Sequence, residues 1–280
     1  MSITLRAPAK LNLALDITGR RSDGYHTLRT VMQTIDWYDT VTVDLAEDEA
    51  IHLSCDGGIP ADEHNIAYRA AALFRERTGM RRGVHITVEK HIPSQAGMAG
   101  GSADGAAVLR ALNELADTPL PQEELLALGA KLGADVPFCL MGGTMLATGI
   151  GTDLAALPPL PACCFVVVKP EGGVSTPEAY RLLDSAPTLL HPDVTALCTA
   201  IEQGDLNGVI ACMGNSFEQP LALPHTASVV TLLKQHGAAA ALLTGSGSAV
   251  FGLFRDASTA EAALAALQQR YPNARLCHPV

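Results

Sequence analysis

Hydrophobic residues recur with a period of two in three stretches of the chain, and this spacing is typical of half-buried strands. Leu11, Leu13 and Leu15 alternate with Asn12 and Ala14 near the N-terminus. Two further stretches show the same alternation: Val41, Val43 and Leu45, and Val84, Ile86 and Val88. All three are predicted to be strands.

A period of three to four predicts helices between and after these strands. Residues 65–77 have one apolar side, and so does a segment that presents Val108, Leu109, Leu112 and Leu115. A third helix is predicted over Gln122–Leu132, ending at Gly133, a position that suits the positive φ of a helix C-terminus. Alternating strands and helices predict an α/β fold.

A proline-rich segment at residues 157–161 is the best candidate boundary, since proline resists both helix and central strand. The 280 residues exceed the ~100–200 of one domain. Two domains are therefore expected, 1–157 and 158–280.

Composition narrows the class of protein. Hydrophobic residues make up 48% and charged residues 17%, which indicates a compact globular protein. Apolar runs stay below the ~18–20 residues of a membrane helix, so no membrane partner is expected. The N-terminus lacks the pattern of a signal peptide, and the seven cysteines include no Cys-x-x-Cys pair. A cytoplasmic location is expected.

The net charge of −10 would repel a phosphate backbone, so nucleic acid is not expected as a partner. Any phosphate site in such a chain must draw its attraction from local backbone amides and a few placed cations.

The glycine loop, Gly97–Ser102, lies where a predicted strand leads into a helix. Glycines let the backbone approach an anion closely, and the helix N-terminus directs free N–H groups toward it. The loop lacks the Gly-Lys-Ser/Thr ending of a Walker loop and the spacing of a dinucleotide fingerprint. It is interpreted as another kind of phosphate loop, with a flexible turn as the alternative.

Asp135 stands in a tight loop among apolar residues, where it could accept a proton from a substrate hydroxyl or simply form a turn. Lys10 and Asn12, at the predicted start of a strand, share one face. The lysine could meet developing charge at phosphorus or be a solvated strand-end residue.

Two further features are open to two interpretations. After a turn-rich break over residues 18–24, Tyr25 and His26 could stack on and hydrogen-bond a planar base. They could equally be a half-buried tyrosine and a surface histidine. The glycine turn, Gly245, Ser246 and Gly247, could approach a ligand phosphate or reverse the chain.

No histidine pair or Cys/His cluster has metal-site spacing, so no protein metal site is predicted. Mg²⁺ would arrive with ATP, held mainly by phosphates and by one hydroxyl such as that of Ser102.

Five segments together resemble the GHMP kinase superfamily, in order and over nearly the full chain. They are Pro8–Leu13, Gly19–His26, Ile92–Asp104, Leu132–Pro137 and Thr244–Gly247. The resemblance implies transfer of the γ-phosphoryl group of ATP to the 2-hydroxyl of a small cytidyl substrate in the non-mevalonate isoprenoid pathway. The alternatives are a GHMP kinase for mevalonate derivatives, homoserine or a sugar, and a nucleotide-binding protein without catalysis.

The resemblance also implies roles for substrate-side residues. Asp135 matches the catalytic base and Lys10 its catalytic partner. The residues assigned to the cytidyl substrate are Asn12, Tyr25, His26 and Tyr180. Tyr25 would stack on the cytosine, His26 would hydrogen-bond it, and Tyr180 would supply the opposing aromatic face.

Nucleotide binding is assigned, by the same resemblance, to Asn65 beside the adenine and to a run of loop residues. These are Pro93, Ser94, Gln95, Ala96, Gly97, Met98, Ala99, Gly100, Gly101, Ser102 and Ala103. The family's loop commonly reads Gly-Leu-Gly-Gly-Gly-Ser-Ser. Here Ala99 is expected to exclude glycine-only backbone angles, and Ala103 lacks a hydroxyl that could meet a phosphate.

The fold that the resemblance implies is α/β in two domains, an N-terminal one like ribosomal protein S5 domain 2 and a C-terminal ferredoxin-like one. Residues after Tyr271 either stay in the second domain or return to pair with the first. No oligomeric state follows from the sequence.

Overall fold

The computed structural model describes residues 1–221 and 223–280. The strands are β1 Ser2–Arg20, β2 His26–Ala46, β3 Ile51–Cys55, β4 Gly83–Glu89, β5 Thr144–Thr148, β6 Asp153–Ala156, β7 Cys164–Val168, β8 Gly214–Asn215, β9 Ala240–Leu243, β10 Val250–Phe254 and β11 Arg275–Cys277. The helices are α1 Ile66–Thr78, α2 Gly100–Leu115, α3 Gln122–Leu132, α4 Val136–Met141, α5 Thr176–Asp184, α6 Val194–Glu202, α7 Leu206–Cys212, α8 Glu218–Leu221, α9 Pro224–Gln235 and α10 Ala257–Gln268.

The first two strands are much longer than the sequence indicates. Strand β1 has 19 residues and β2 has 21, with a turn only at residues 21–25. Lys10 and Asn12, predicted at the start of a strand, therefore lie in its middle. Pairing with neighbouring strands extends a strand beyond its local pattern. The prediction that a new element begins at Tyr25-His26 is confirmed, since β2 starts at His26.

The larger sheet has seven strands in the order β3-β4-β2-β1-β8, with β5 pairing with β2 and β6 with β5. Strands β3 and β4 are parallel, and α1 connects them. Asn65 caps α1, because its side chain accepts a hydrogen bond from the amide of Ala67 at 2.9 Å. Helix α3 has the predicted bounds, but Gly133 has an extended φ of 173°, so the predicted positive φ is wrong.

The smaller sheet has the order β11-β7-β10-β9, with antiparallel neighbours. Numbered along the chain, this order is fourth, first, third, second, with helices in the two crossovers, which is the predicted ferredoxin-like arrangement. Its core packs Val166 and Phe254 with Leu233 of α9 and Ala263 of α10.

By internal contacts the chain divides into two compact units. The first comprises residues 1–9, 37–94 and 99–142, and the second residues 10–36, 95–98 and 143–280. This partition differs from a division after residue 157, because the proline-rich segment lies inside the second unit. The chain end does return to β2, where Pro279 bridges Ile35 and the amide of Asp36 bonds the carbonyl of His278 at 3.1 Å.

Within the first unit, α2 packs against α1 and α4. A Cβ at Gly105 would lie 2.5 Å from a methyl group of Ile66, so glycine permits this close packing of α2 on α1. Among the described residues, no helix combines the length and the apolarity that a membrane span requires.

We expect Phe165→Ala to destabilise the second unit by about 3–5 kcal/mol, because the fully buried ring packs edge-on against Phe251 with 5.7 Å between ring centroids. Urea denaturation monitored by circular dichroism measures the change in the free energy of unfolding. Phe165→Leu is the control and should cost markedly less, since it keeps most of the buried volume. Equal losses for the two variants would contradict this packing role.

Candidate active site

The glycine loop ends as the N-terminus of α2 in the first unit. Helix α2 begins at Gly100, and the amide of Ala103 is the first to bond within the helix, at 2.9 Å from the carbonyl of Ala99. The amides of Gly100, Gly101 and Ser102 therefore precede the helical ladder. Unbonded amides and the helix dipole together attract an anion.

Ala99 adopts the left-handed conformation, with φ 59° and ψ 26°. The expectation that alanine excludes this backbone geometry is wrong. An L-residue reaches the left-handed region at a cost of roughly 1–2 kcal/mol, which the surrounding loop overcomes here.

In the second unit the first part of the glycine loop packs on the glycine turn. A Cβ at Gly97 would lie 2.2 Å from the carbonyl oxygen of Thr244, and one at Gly245 would lie 2.8 Å from the carbonyl oxygen of Gly97. Gln95 and Ala96 accept hydrogen bonds from the amides of Ser248 and Ala249 at 3.3 and 3.1 Å. Two backbones approach this closely only because side chains are absent.

Lys10 and Asn12 are brought together as predicted. The Lys10 ammonium donates to Asn12 Oδ1 at 2.5 Å, and both residues are 3% exposed. Asn12 Nδ2 donates to Thr30 Oγ1 at 2.9 Å, and the Asn12 amide donates to Thr244 Oγ1 at 3.0 Å. The amide of Lys10 also bonds the carbonyl of Met98 at 3.1 Å. Sequence predicted a shared face, and the structure adds that both side chains are buried.

Lys90, which the sequence did not single out, holds a buried ionic cluster in the first unit. Its ammonium donates to Asp39 and, at 2.6 Å, to Asp104 Oδ2. Asp39 also accepts the amides of His91 and Ile92 at 2.5 and 2.7 Å. A single lysine thereby links β2, the end of β4 and the first turns of α2.

Burial raises the pKa of Asp104 to about 7, against the opposing effect of the Lys90 charge, and Asp39 adds to the increase. Burial lowers the pKa of Lys90, but Asp104 and Asp39 outweigh it, so the net shift is upward. Oδ1 of Asp104 is buried without a hydrogen-bond partner among the described residues. The sequence does contain one signal for this cluster: Asp104 stands four residues before Val108, on the apolar face of the predicted helix.

The two residues predicted to recognise a base differ in exposure. Tyr25 is 65% exposed, whereas the ring of His26 is nearly buried. His26 stacks on Tyr180 with 4.6 Å between ring centroids, and its Nε2 lies 2.7 Å from Asp184 Oδ1. Arg20 pairs with the other oxygen of Asp184 at 3.2 Å.

His26 therefore covers one face of the Tyr180 ring. Phe217 packs edge-to-face with the same ring, with 5.0 Å between ring centroids. The assignment of Tyr180 as the second face of a base pocket stays a prediction. The structure shows Tyr180 supporting the ring of His26.

Asp135 and Asn65 lie in the first unit. Asp135 is half-buried, directly before α4, and its carbonyl accepts the amide of Cys139 at 3.0 Å. Gly133 and the buried residues Val136 and Pro137 confine its backbone. An aspartate in such a loop can serve as a proton acceptor.

Two family models match the chain. The GHMP kinases N terminal domain matches residues 65–143, and the GHMP kinases C terminal model matches residues 197–273. The first range contains the glycine loop, the ionic cluster's Lys90 and Asp104, and Asp135. The second contains the glycine turn.

Whole-chain comparisons agree with these models. A 4-diphosphocytidyl-2-C-methyl-D-erythritol kinase of Desulfitobacterium hafniense is 46% identical over 271 residues, covering 96% of this chain and 92% of the relative. A crystal structure of 4-(cytidine 5'-diphospho)-2C-methyl-D-erythritol kinase superposes with a TM-score of 0.84 at 36% identity, covering 98% of both chains. A homoserine kinase from Cytophaga hutchinsonii, with a TM-score of 0.76 and 20% identity, shares the fold, covering 99% of this chain and 95% of its own.

We expect Asp104→Asn to remove a pH-dependent component of stability. Because the pKa of Asp104 is about 7 in the folded protein and about 3.9 unfolded, the folded state holds the extra proton between these values. Wild-type stability should therefore fall, relative to that of the variant, as pH rises from about 4 to 7. Denaturant midpoints across this range measure the difference.

The exposed substitution Asp117→Asn is the matched control and should follow the wild-type curve. If the curves of wild type and Asp104→Asn run parallel from pH 4 to 7, Asp104 does not hold a proton in the folded state.

Proposed function

Since the chain belongs to the GHMP kinases, within the branch of 4-diphosphocytidyl-2-C-methyl-D-erythritol kinases, we propose that it phosphorylates the 2-hydroxyl of 4-diphosphocytidyl-2-C-methyl-D-erythritol with ATP. The products are the 2-phosphate and ADP, in the non-mevalonate route to isoprenoid precursors. The observation that carries this conclusion is 46% identity over nearly the whole length of a relative with this activity in its name.

The nucleotide phosphates are assigned to the glycine loop. In a chain of net charge −10, the amides of Gly100, Gly101 and Ser102 and the positive end of the α2 dipole supply local attraction. Because Gly97 and Gly245 have no side chains, the backbones of the glycine loop and the glycine turn can approach each other closely. Asn65, at the N-terminus of α1, is assigned to the adenine by family resemblance.

Mg²⁺ would accompany ATP. Its hard-oxygen preference fits the phosphate oxygens together with the hydroxyl of Ser102, which is half-buried in the first turn of α2. When bound, the ion supplies positive charge to the phosphates.

Direct in-line transfer is the proposed chemistry. The substrate 2-hydroxyl gives its proton to Asp135, its oxygen forms a bond to the γ-phosphorus, and the bond from that phosphorus to the ADP oxygen breaks. Lys10, an ammonium held by Asn12, is assigned to the negative charge that develops on the phosphoryl oxygens. Positioning and electrostatics supply most of the rate enhancement.

Base recognition is assigned to Tyr25 and His26. In the tautomer in which Nε2 of His26 donates to Asp184 Oδ1, 2.7 Å away, Nδ1 keeps a lone pair that can accept a hydrogen bond. That lone pair accepts a hydrogen bond from the exocyclic amine of cytosine. Uracil presents a carbonyl there, so a uridyl analogue should be a poor substrate.

ADP release from ATP and the cytidyl alcohol, with and without Mg²⁺, tests this function. We expect substrate-dependent turnover that requires Mg²⁺. Equal turnover of a cytidine-free alcohol such as homoserine or mevalonate would overturn the base assignment. Nucleotide binding with no substrate-dependent ADP release would overturn the kinase assignment itself.

Asp135→Asn should lower kcat by at least ~10²-fold while ATP binding stays nearly intact, since only the proton acceptor is lost. Steady-state kinetics and ATP titration by calorimetry measure the two effects separately. The exposed change Asp117→Asn serves as control and should leave both unchanged. Turnover near wild type in Asp135→Asn would exclude Asp135 as the general base.

A further inference from the structure

Three side chains with metal-binding atoms meet on an exposed surface of the first unit, apart from the residues assigned to the kinase reaction. His52 lies on β3, His85 lies on β4, and Asp48 lies in the turn before β3. In the parallel register of the two strands, His52 and His85 are direct partners. Direct partners on neighbouring strands point to the same face of a sheet.

The three groups are already in mutual contact. The two imidazole rings stack with 4.3 Å between centroids and 20° between planes. Nε2 of His52 lies 3.0 Å from Asp48 Oδ2. One ligand atom from each of the three residues falls within 4.8 Å of the others.

The backbone holds Asp48 in this place. Its Oδ1 accepts the amide of Ala50 at 3.0 Å. A Cβ at Gly83 would lie 2.0 Å from the same oxygen, so glycine leaves the room that the carboxylate occupies.

A second carboxylate extends the row of side chains. Asp44 on β2 is the antiparallel register partner of His85, so Asp44, His85 and His52 follow one another across three adjacent strands. Two acidic groups flank two imidazoles, a combination that favours a cation over an anion.

We propose that Asp48, His52 and His85 form a surface site for one divalent transition-metal ion of the Zn²⁺ class. Two imidazole nitrogens and a carboxylate oxygen are ligands that suit Zn²⁺ better than Mg²⁺, and water completes the fourth position. Zn–N and Zn–O distances of about 2.0–2.2 Å place tetrahedral ligand atoms about 3.3–3.5 Å apart. Exposed side chains reach that spacing from 4.8 Å by small χ rotations.

A bound ion would link the edge strand β3 to β4 and to the preceding turn. Sequence spacing could not reveal this site, because Asp48 and His52 are separated from His85 by a helix and two loops. The expectation of no protein metal site is revised by this proposal.

Zinc titration of the chelator-treated full chain by calorimetry tests the site. We expect the wild type to bind one equivalent of Zn²⁺. The affinity should fall at least ~10-fold in His52→Ala and in His85→Ala, because loss of a group that only supports a metal ligand already costs about that much and loss of the ligand itself should cost no less. Saturating Zn²⁺ should raise the melting temperature of the wild type and not that of the double variant.

His225→Ala, an exposed histidine of the second unit, is the matched control and should bind zinc like the wild type. Circular dichroism confirms that each variant is folded, and kinase turnover should be unchanged because none of the three residues belongs to the proposed reaction. Wild-type zinc binding in His52→Ala and His85→Ala, or no zinc binding by the wild type, would overturn the proposal.

Discussion

The buried ammonium of Lys90 is the interaction on which the first unit depends. It joins Asp39 on β2 and Asp104 on α2 from the end of β4, and all three side chains are nearly inaccessible to water. Removing one member of such a cluster leaves an uncompensated buried charge, a cost of several kcal/mol. Asp104 lies about one turn after Gly100, so the same cluster anchors the first turn of α2, which includes the amides of Gly100 and Gly101.

In the second unit, close backbone contact has the corresponding role. Gly97 lies against the carbonyl of Thr244, and Gly245 lies against the carbonyl of Gly97. The buried pair Lys10 and Asn12 adjoins this contact through Thr244 and Met98. If the glycine loop holds the phosphates as proposed, this acidic chain attracts them with amides, a helix dipole and a few desolvated cations rather than with a basic surface.

Fold and substrate are decided by different parts of the molecule. A homoserine kinase at 20% identity shares this fold, so the architecture by itself leaves the acceptor alcohol undetermined. The acceptor is inferred from residues outside the nucleotide loop, above all Tyr25 and His26, and from relatives that match over the whole chain. The proposed nucleotide site rests on backbone geometry that many kinases can share, whereas the proposed base recognition depends on a few exposed or stacked side chains.

The sequence by itself determined the elements whose pattern is local. Helix α3, the helix predicted over residues 65–77 and the strand-loop-helix at Gly97–Ser102 follow from periodicity and from glycine, which act over a few residues. Family motifs identified the two-domain kinase fold and the assigned reaction, because they combine segments far apart in the chain.

Only the tertiary structure decided what depends on distant partners. The length of β1, the left-handed Ala99, the stacking of Tyr180 on His26 and the burial of Asp104 beside Lys90 all result from packing and strand register. Such contacts outweigh local propensity, since burial and pairing energies exceed the fractions of a kcal/mol that separate local conformations. The pairing of His52 with His85 also depends on tertiary structure, because the spacing of residues along the chain does not determine the register between strands.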